Sequence, residues 1–555
     1  MSKYTIGIDY GSLSGRAVLA ECSTGTVLAE STLDYPHAVM DTALPNGTPL
    51  GQDWALQHPQ DYLDVLYHTL PALLQSSGVA PEDIIGIGVD FTACTILPVK
   101  ADGTPLCFLP EFAEQPHAYV KLWKHHAAEN YANRLTAIAT ERREGFLSRY
   151  GGKISSEWEL PKIWQILDEA PEVYNAADYI VEAGDWLVWQ LTGVLGKSAC
   201  AAGYKGTWSA REGYPSEEFL AALDPRLSHL AIDKLNFPIA TLGKTVGGIT
   251  PAIAEKTGLA EGTPVSAAII DAHAAMPSAG ITGPGQLLAI MGTSTCDILL
   301  AEEERDVPGI CGVVDGGVYP DFYAYEAGQS CVGDHFAWFA EHCCPASYRD
   351  EAEKQGKNLH EYLTELADRL RPGESGLLAL DWWNGNRSVL VDYDLTGMML
   401  GMTLTTRPEE MYRALIEATA YGTRMIVDNF VKGGVPVTKF VATGGISQKN
   451  AMAMQIYADV LNMPVYIADG SQGGALGSAC FAAAAAGAAA GGYDSITDAA
   501  AAMGRQKAEF YTPIPEHVEV YETLYREYST LHDYFGRGEN NVMKRLKAMR
   551  TQLRG

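Results

Sequence analysis

The sequence predicts an α/β fold made of two related lobes that face one another across a cleft. Two observations predict the duplication. Ile6-Gly7-Ile8-Asp9-Tyr10 runs into the turn Gly11-Ser12-Leu13-Ser14-Gly15 and out again through Arg16-Ala17-Val18-Leu19, an apolar strand, a Gly/Ser turn and a second strand. The same design recurs where Leu287 to Met291 enters Gly292-Thr293-Ser294-Thr295 and leaves through Cys296 to Leu300. A third observation, the alternation of such strands with helical stretches, gives the α/β class. Tight Gly turns point backbone N–H groups at one anion, and Ser and Thr hydroxyls add donors. Asp9 ends a strand beside the first turn. A carboxylate next to a phosphate needs a shielding cation, so Mg²⁺ is expected there.

The elements follow in order. Residues 4 to about 35 read as a three-strand meander turning at Gly11–Gly15 and at Thr24-Gly25. A helix is expected from about Pro59 to Leu74, then a buried strand, Ile84 to Asp90, with Phe91-Thr92-Ala93-Cys94-Thr95 at its end. Residues 117 to 225 are helix-rich and carry Trp123, Trp158, Trp164, Trp186, Trp189 and Trp208, an insertion that shapes a pocket; for any one Trp, core is the default reading. Gly262 to Ile270 is an apolar strand ending in Asp271. Thr406-Arg407-Pro408-Glu409 reads as a capping box with Thr406 as N-cap, opening a helix that Gly433-Gly434 stops. A strand, Lys439 to Ala442, meets Thr443-Gly444-Gly445, and a helix carries Asn450 to Val460. The turn Gly470-Ser471-Gln472-Gly473-Gly474 opens an Ala-rich helix, and Tyr521, Leu524, Tyr525, Tyr528, Leu531 and Phe535 mark an amphipathic one before a basic helical tail. The domain reading is 1–273, 274–490 and a C-terminal helical extension, 491–555.

A chain of 555 residues exceeds one core. The net charge of −28 argues against a nucleic-acid partner and favours solubility. No segment is apolar and long enough for a bilayer, and Met1-Ser2-Lys3 leads directly into a strand, so no secretory signal and a cytoplasmic location are expected. Ten scattered cysteines without a C-x-x-C pair read as reduced thiols, and neither His125-His126 nor Asp334-His335 has further ligands at zinc spacing. The chain lacks the Walker G-x-x-x-x-G-K-S/T signature, so its phosphate grip differs from that of P-loop enzymes.

A phosphate turn, a strand ending in Asp, a second phosphate turn and a Gly-Gly turn opening a helix resemble, in that order, the actin-like (ribonuclease H-like) ATPase plan. From Ile6 to about Ala486 the chain is similar to the FGGY carbohydrate kinases, relatives of glycerol kinase and xylulokinase. Gly88-Val89-Asp90-Phe91-Thr92-Ala93-Cys94-Thr95, and Lys153 to Trp158 followed by Pro161-Lys162, resemble the L-ribulokinase branch of that family; the Gln-Met-His-Gly run of xylulokinases and the Arg-Glu pair of glycerol kinases are absent there.

The resemblance implies a kinase that uses ATP and Mg²⁺ to phosphorylate the 5-hydroxyl of L-ribulose, in L-arabinose breakdown. Another ketopentose, D-ribulose or xylulose, and a non-catalytic sugar or nucleotide sensor are the alternatives. Asp271 is expected as the base that takes the hydroxyl proton, against the plain reading of a helix N-cap, and shares the metal with Asp9. The resemblance assigns the sugar to the Ala93 backbone, Lys205 and Glu326, with Trp123 as an apolar wall. It assigns phosphates to Gly11, Ser12, Ser14, Gly292 and Thr293, and the rest of the nucleotide to Gly328, Gly444, Gly445 and Asn450. The expected partners are the sugar and ATP, with no nucleic acid or membrane; a homodimer is left open.

Overall fold

The computed structural model describes residues 2–470 and 472–554. Ser471, in the turn before the Ala-rich helix, lies outside the described residues. The expected meander is present as β1 (Tyr4–Tyr10), β2 (Ser14–Glu21) and β3 (Val27–Asp34). Helix α1 (Pro59–Ser77) leads to β4 (Ile84–Phe91), parallel to β1. The helix-rich insertion follows; its core around Trp158, Trp164 and Ile163 also takes in Met40, Leu44 and Leu56, and its small four-stranded sheet draws strands from Leu56–Gln57 and Ile96–Val99. Two of its helices bear on the site, α2 (Glu159–Glu169) and α3 (Ala199–Tyr204). The first sheet is completed by β5 (Thr245–Gly248), β6 (Pro264–Ser266) and β7 (Ile269–Ile270), and α4 (Asp271–Ser278) follows at once.

The second lobe contains β8 (Gln286–Met291), β9 (Thr295–Ala301), β10 (Gly312–Asp315), β11 (Tyr323–Gln329), β12 (Lys439–Thr443), β13 (Val465–Ala468) and β14 (Gln506–Tyr511). Its helices are α5 (Pro408–Lys432), α6 (Ala451–Leu461), α8 (Pro515–Gly536) and α9 (Val542–Arg554); α7 (Gly473–Ala486) lies between them in sequence but packs on the first lobe. The sheets run β5-β6-β4-β1-β2-β3 and β14-β13-β12-β8-β9-β11-β10. Each has an antiparallel meander, then two parallel neighbours, then an antiparallel edge. The lobes are thus two copies of one topology, as the paired hairpins suggest.

Helix α7 returns from the second half to lie on β1 and β4 of the first sheet. Glycine makes this possible: a Cβ on Gly7 would stand 1.7 Å from the Ala475 carbonyl oxygen, and one on Gly88 1.9 Å from that of Ser478. Gly477 likewise lets α7 touch α4, where a Cβ would meet the Ala274 oxygen at 1.6 Å. An all-round buried Ala/Gly helix is what such close contact requires.

Two expectations are corrected. Helix α5 starts one residue later than expected: Arg407 is the N-cap, and its N–H donates to the Glu410 carboxylate, while Thr406 Oγ1 accepts from Thr403 N–H in the preceding turn. Pro408 at the first helical position holds the residue before it extended, and this sets the boundary. The segment after 490 is not a helical appendage. Its strand β14 forms the edge of the second sheet, and Tyr521, Tyr525 and Tyr528 of α8 belong to that lobe's core. Among the described residues no helix is long and apolar enough to cross a membrane.

Candidate active site

The two Gly turns have the same closure. Gly11 N–H donates to the Ser14 carbonyl at 3.0 Å and Gly292 N–H to that of Ser294 at 2.9 Å. The glycine amides therefore close the hairpins, and among the described residues the N–H groups of Ser12, Leu13, Thr293 and Ser294 at the tips find no acceptor. The first turn is braced by Tyr35 Oη on the Gly11 carbonyl, Gln57 Nε2 on that of Ser12, and the Trp123 indole N–H on Ser12 Oγ at 3.0 Å. Trp123, from the insertion, thereby stands beside a phosphate turn, and it is 37% exposed. In the second lobe Gly444 has φ +95°, and a Cβ there would sit 2.4 Å from the Met291 oxygen, so the Gly444-Gly445 corner lies against the strand that feeds the second turn.

Two expected nucleotide residues are otherwise engaged. Gly328 is buried within β11 and its N–H donates to Ser388 Oγ; glycine is needed there because a Cβ would meet the Thr295 oxygen at 2.2 Å. Asn450 is the N-cap of α6, its Oδ1 accepting from Ala453 N–H and its Nδ2 facing Thr364 Oγ1. Helix-capping chemistry claims Asn at such a boundary.

Strand register builds an acidic end to the first sheet. β1 and β4 pair Asp9 with Asp90, and β7 pairs Ile269 with Asp90, so Asp271 follows two residues later beside both. Asp90 Oδ2 accepts from Ser478 Oγ at 2.6 Å, and among the described residues its buried Oδ1 has no hydrogen-bond partner. Burial and the neighbouring Asp9 push the Asp90 carboxyl well above the ordinary range. Asp271 is pushed up to about 7 by burial and by Asp9, while Ala272 N–H, donating to Oδ1, opposes this. Asp9 is raised by burial, against Asp90 and Arg16, whose guanidinium is 3.5 Å away. Like charges so confined call for a cation, and an all-oxygen donor set with an unused oxygen suits Mg²⁺.

A second cluster spans the lobes. Lys205, at the end of α3, places Nζ 3.1 Å from Glu326 Oε2 on β11. Arg387 donates through Nη2 to Glu326 Oε1 and through Nε to Cys311 Sγ, and His273 Nε2 lies 3.5 Å from Oε2. Although burial would raise it, Lys205 and Arg387 hold the Glu326 carboxyl down to about 2. Trp158 stands under the Lys205 ammonium at 5.6 Å. Arg387, His273 and Asp90 were not picked out from sequence. Asp90 carried a signal, as a strand-end carboxylate like Asp9; Arg387 carried none, because it lies in a loop without periodicity.

Ala93 occupies the turn after β4, next to Cys94 at φ +56°. Thr92 and Thr95 hydroxyls bond across it at 2.8 Å, and Thr95 N–H donates to Glu182 at 2.9 Å. Elsewhere His37, His58 and Asp61 come together. Local bonds account for them: His37 pairs with Asp61, and His58 Nδ1 accepts from Gln60 N–H at the start of α1.

The FGGY family of carbohydrate kinases matches the chain with its N-terminal domain over residues 4–277 and its C-terminal domain over 287–486. A protein named ribulokinase from Halalkalibacterium halodurans is 58% identical over 99% of this chain and 98% of its own. One of the same name from Geobacillus thermodenitrificans is 56% identical over 100% and 98%. Among solved structures, xylulose kinase from Rhodospirillum rubrum superposes with a TM-score of 0.79 at 25% identity, covering 96% of this chain and 98% of that one. Glycerol kinase from Plasmodium falciparum with ADP reaches 0.74 at 15% identity, over 95% and 98%. With both domain models matched in order and each lobe carrying its own phosphate-type turn, the chain belongs to the FGGY family of carbohydrate kinases.

Proposed function

We propose that the chain transfers the γ-phosphoryl group of ATP to the 5-hydroxyl of L-ribulose, giving L-ribulose 5-phosphate and ADP. The name shared by its relatives at 58% and 56% identity supports the sugar. The observation that carries the chemistry is Asp271, a carboxyl raised to about 7 at the junction of the acidic end and the Lys205–Glu326 pair. A base poised near neutrality suits proton transfer from an alcohol.

In this reading the Lys205 ammonium and Glu326 carboxylate, with the Ala93 backbone, pair with sugar hydroxyls and hold the acceptor in line. Asp271 accepts the proton of the attacking hydroxyl. The turn amides of Ser12, Leu13 and Thr293 and the Thr293 hydroxyl receive phosphate oxygens, and Gly444 and Gly445 leave room for the adenosine. Asp9 and Asp271 would hold Mg²⁺, largely through its water shell, and the ion would neutralise charge on the transferring phosphates. Closure of the lobes excludes water from the phosphoryl group. An ATP-coupled assay over L-ribulose, D-ribulose, L-xylulose and D-xylulose tests the reading: L-ribulose is expected to give the highest kcat/KM. Preference for another ketopentose overturns the substrate, and binding of ADP and sugar without sugar phosphate overturns the enzyme.

A further inference from the structure

Lys162 belongs to the Pro161-Lys162 motif, and no step above uses it. It lies on α2, fully buried, and its partners are backbone carbonyls rather than a carboxylate. Nζ donates to the Cys94 oxygen at 2.6 Å and to the Leu122 oxygen at 2.8 Å, with the Lys121 oxygen at 3.5 Å. These carbonyls stand immediately beside Ala93, which the proposed function gives to the sugar, and Trp123, the apolar wall that the family resemblance implies; the two come from separate segments. Glu182 completes the hold on the first segment by accepting Thr95 N–H.

We propose that Lys162 is a positioning residue for sugar recognition, an ammonium clamp that ties the Ala93–Thr95 turn to the Leu122–Trp123 segment. This rests on the sugar site assigned above. Three points carry it. First, burying an ammonium without a carboxylate contact is costly, and an apolar side chain of similar length would fill the same space without that cost. Second, the turn it holds is strained: Cys94 is a non-glycine residue at φ +56°, a conformation that persists only when its surroundings over-determine it. The Lys162–carbonyl bond and the Glu182–amide bond hold the two ends of one peptide group, the Cys94 C=O and the Thr95 N–H, and supply that constraint. Third, the first phosphate turn is braced by Tyr35, Gln57 and the Trp123 indole N–H without Lys162, so the clamp governs the spacing of the Ala93 turn from Trp123 rather than the nucleotide side. Supporting groups one layer behind a site fix its geometry in this way.

The test compares Lys162→Met, which removes every donor, with Lys162→Gln, which keeps two N–H donors on a neutral, shorter side chain. Steady-state kinetics with the best ketopentose and with ATP are measured for each, beside thermal melting. The expected result is a sugar KM raised about tenfold or more in Lys162→Met, with the ATP KM changed less than about twofold, and a smaller rise in Lys162→Gln. A purely structural lysine would instead lower the melting temperature and shift both KM values together or neither; either pattern overturns the clamp. Should Lys162→Met fail to fold, Lys162→Gln decides alone: a selective rise in sugar KM supports the inference, and an unchanged sugar KM ends it. If the unaltered chain phosphorylates no ketopentose, the functional reading fails and the clamp with it; if it does and the lysine variants behave as the native chain, the clamp alone fails.

Discussion

Lys205 reaches from the first lobe to within 3.1 Å of Glu326 on the second, joining residues 121 positions apart through a buried ion pair. Arg387 binds the other oxygen of the same carboxylate, so Glu326 carries two cations. Removing Glu326 and removing Lys205 therefore have unequal effects. Glu326→Gln strands two buried cations, whereas Lys205→Met leaves Glu326 paired with Arg387. Breaking a buried pair costs about 3–5 kcal/mol when a charge is left alone. Glu326→Gln is expected to lower the melting temperature more than Lys205→Met, while both raise the sugar KM about tenfold or more. Calorimetric melting and sugar titrations of the two variants check this; equal melting temperatures would contradict the two-cation account.

Asp271→Asn is expected to reduce kcat on the order of 10²–10⁴-fold with nucleotide binding retained. The same change should raise the melting temperature at neutral pH. A carboxyl whose folded pKa lies above its unfolded value holds its proton better when folded, so its contribution to stability declines as pH rises from about 3.8 to about 7. Asn removes that penalty. A variant both slow and less stable at pH 7.5 would argue against the buried-carboxyl assignment.

The pH profile follows from the same group. The base acts only when ionised, and burial with Asp9 nearby raises Asp271 to about 7. The sugar kcat/KM is expected to rise with pH up to about 7 and then level. Saturating Mg²⁺ should move this limb to lower pH, since a nearby cation favours the carboxylate. A profile flat from pH 5 to 8 at low Mg²⁺ would remove Asp271 as the base.

Gly444→Ala separates nucleotide from sugar. Its φ of +95° disfavours a side chain, and the new Cβ would press on the Met291 oxygen at 2.4 Å. The ATP KM should rise about tenfold while the sugar KM stays within about twofold. Parallel loss of both would mean that the substitution disturbs the lobe rather than the nucleotide corner.

Chelation checks the acidic end. EDTA should abolish turnover and added Mg²⁺ restore it, and Asp9→Asn should shift the Mg²⁺ dependence to higher concentration. Full activity in metal-free buffer would contradict a cation role for Asp9.

Much of the fold was legible from local signals. Strand-turn-strand patterns placed β1, β2, β8 and β9, and the apolar runs before Asp90 and Asp271 placed the carboxylates at strand ends. The start of α5 was misplaced because Pro408 outweighed the capping pattern, and β14 was missed because its residues carry no clear two-residue alternation. Asn450, which the resemblance assigns to the nucleotide, also caps the start of α6, a contact that local capping chemistry explains.

The order of residues by itself determined the two hairpins, the strand-ending aspartates and membership of the kinase family, because turn chemistry and side-chain period act over a few residues. Only the tertiary structure decided that Asp9 faces Asp90, that Arg387 joins Lys205 on Glu326, that α7 lies on the first sheet and that Lys162 holds two loops. Those contacts depend on strand register and on close backbone approach between distant segments, and neither is encoded in a local pattern.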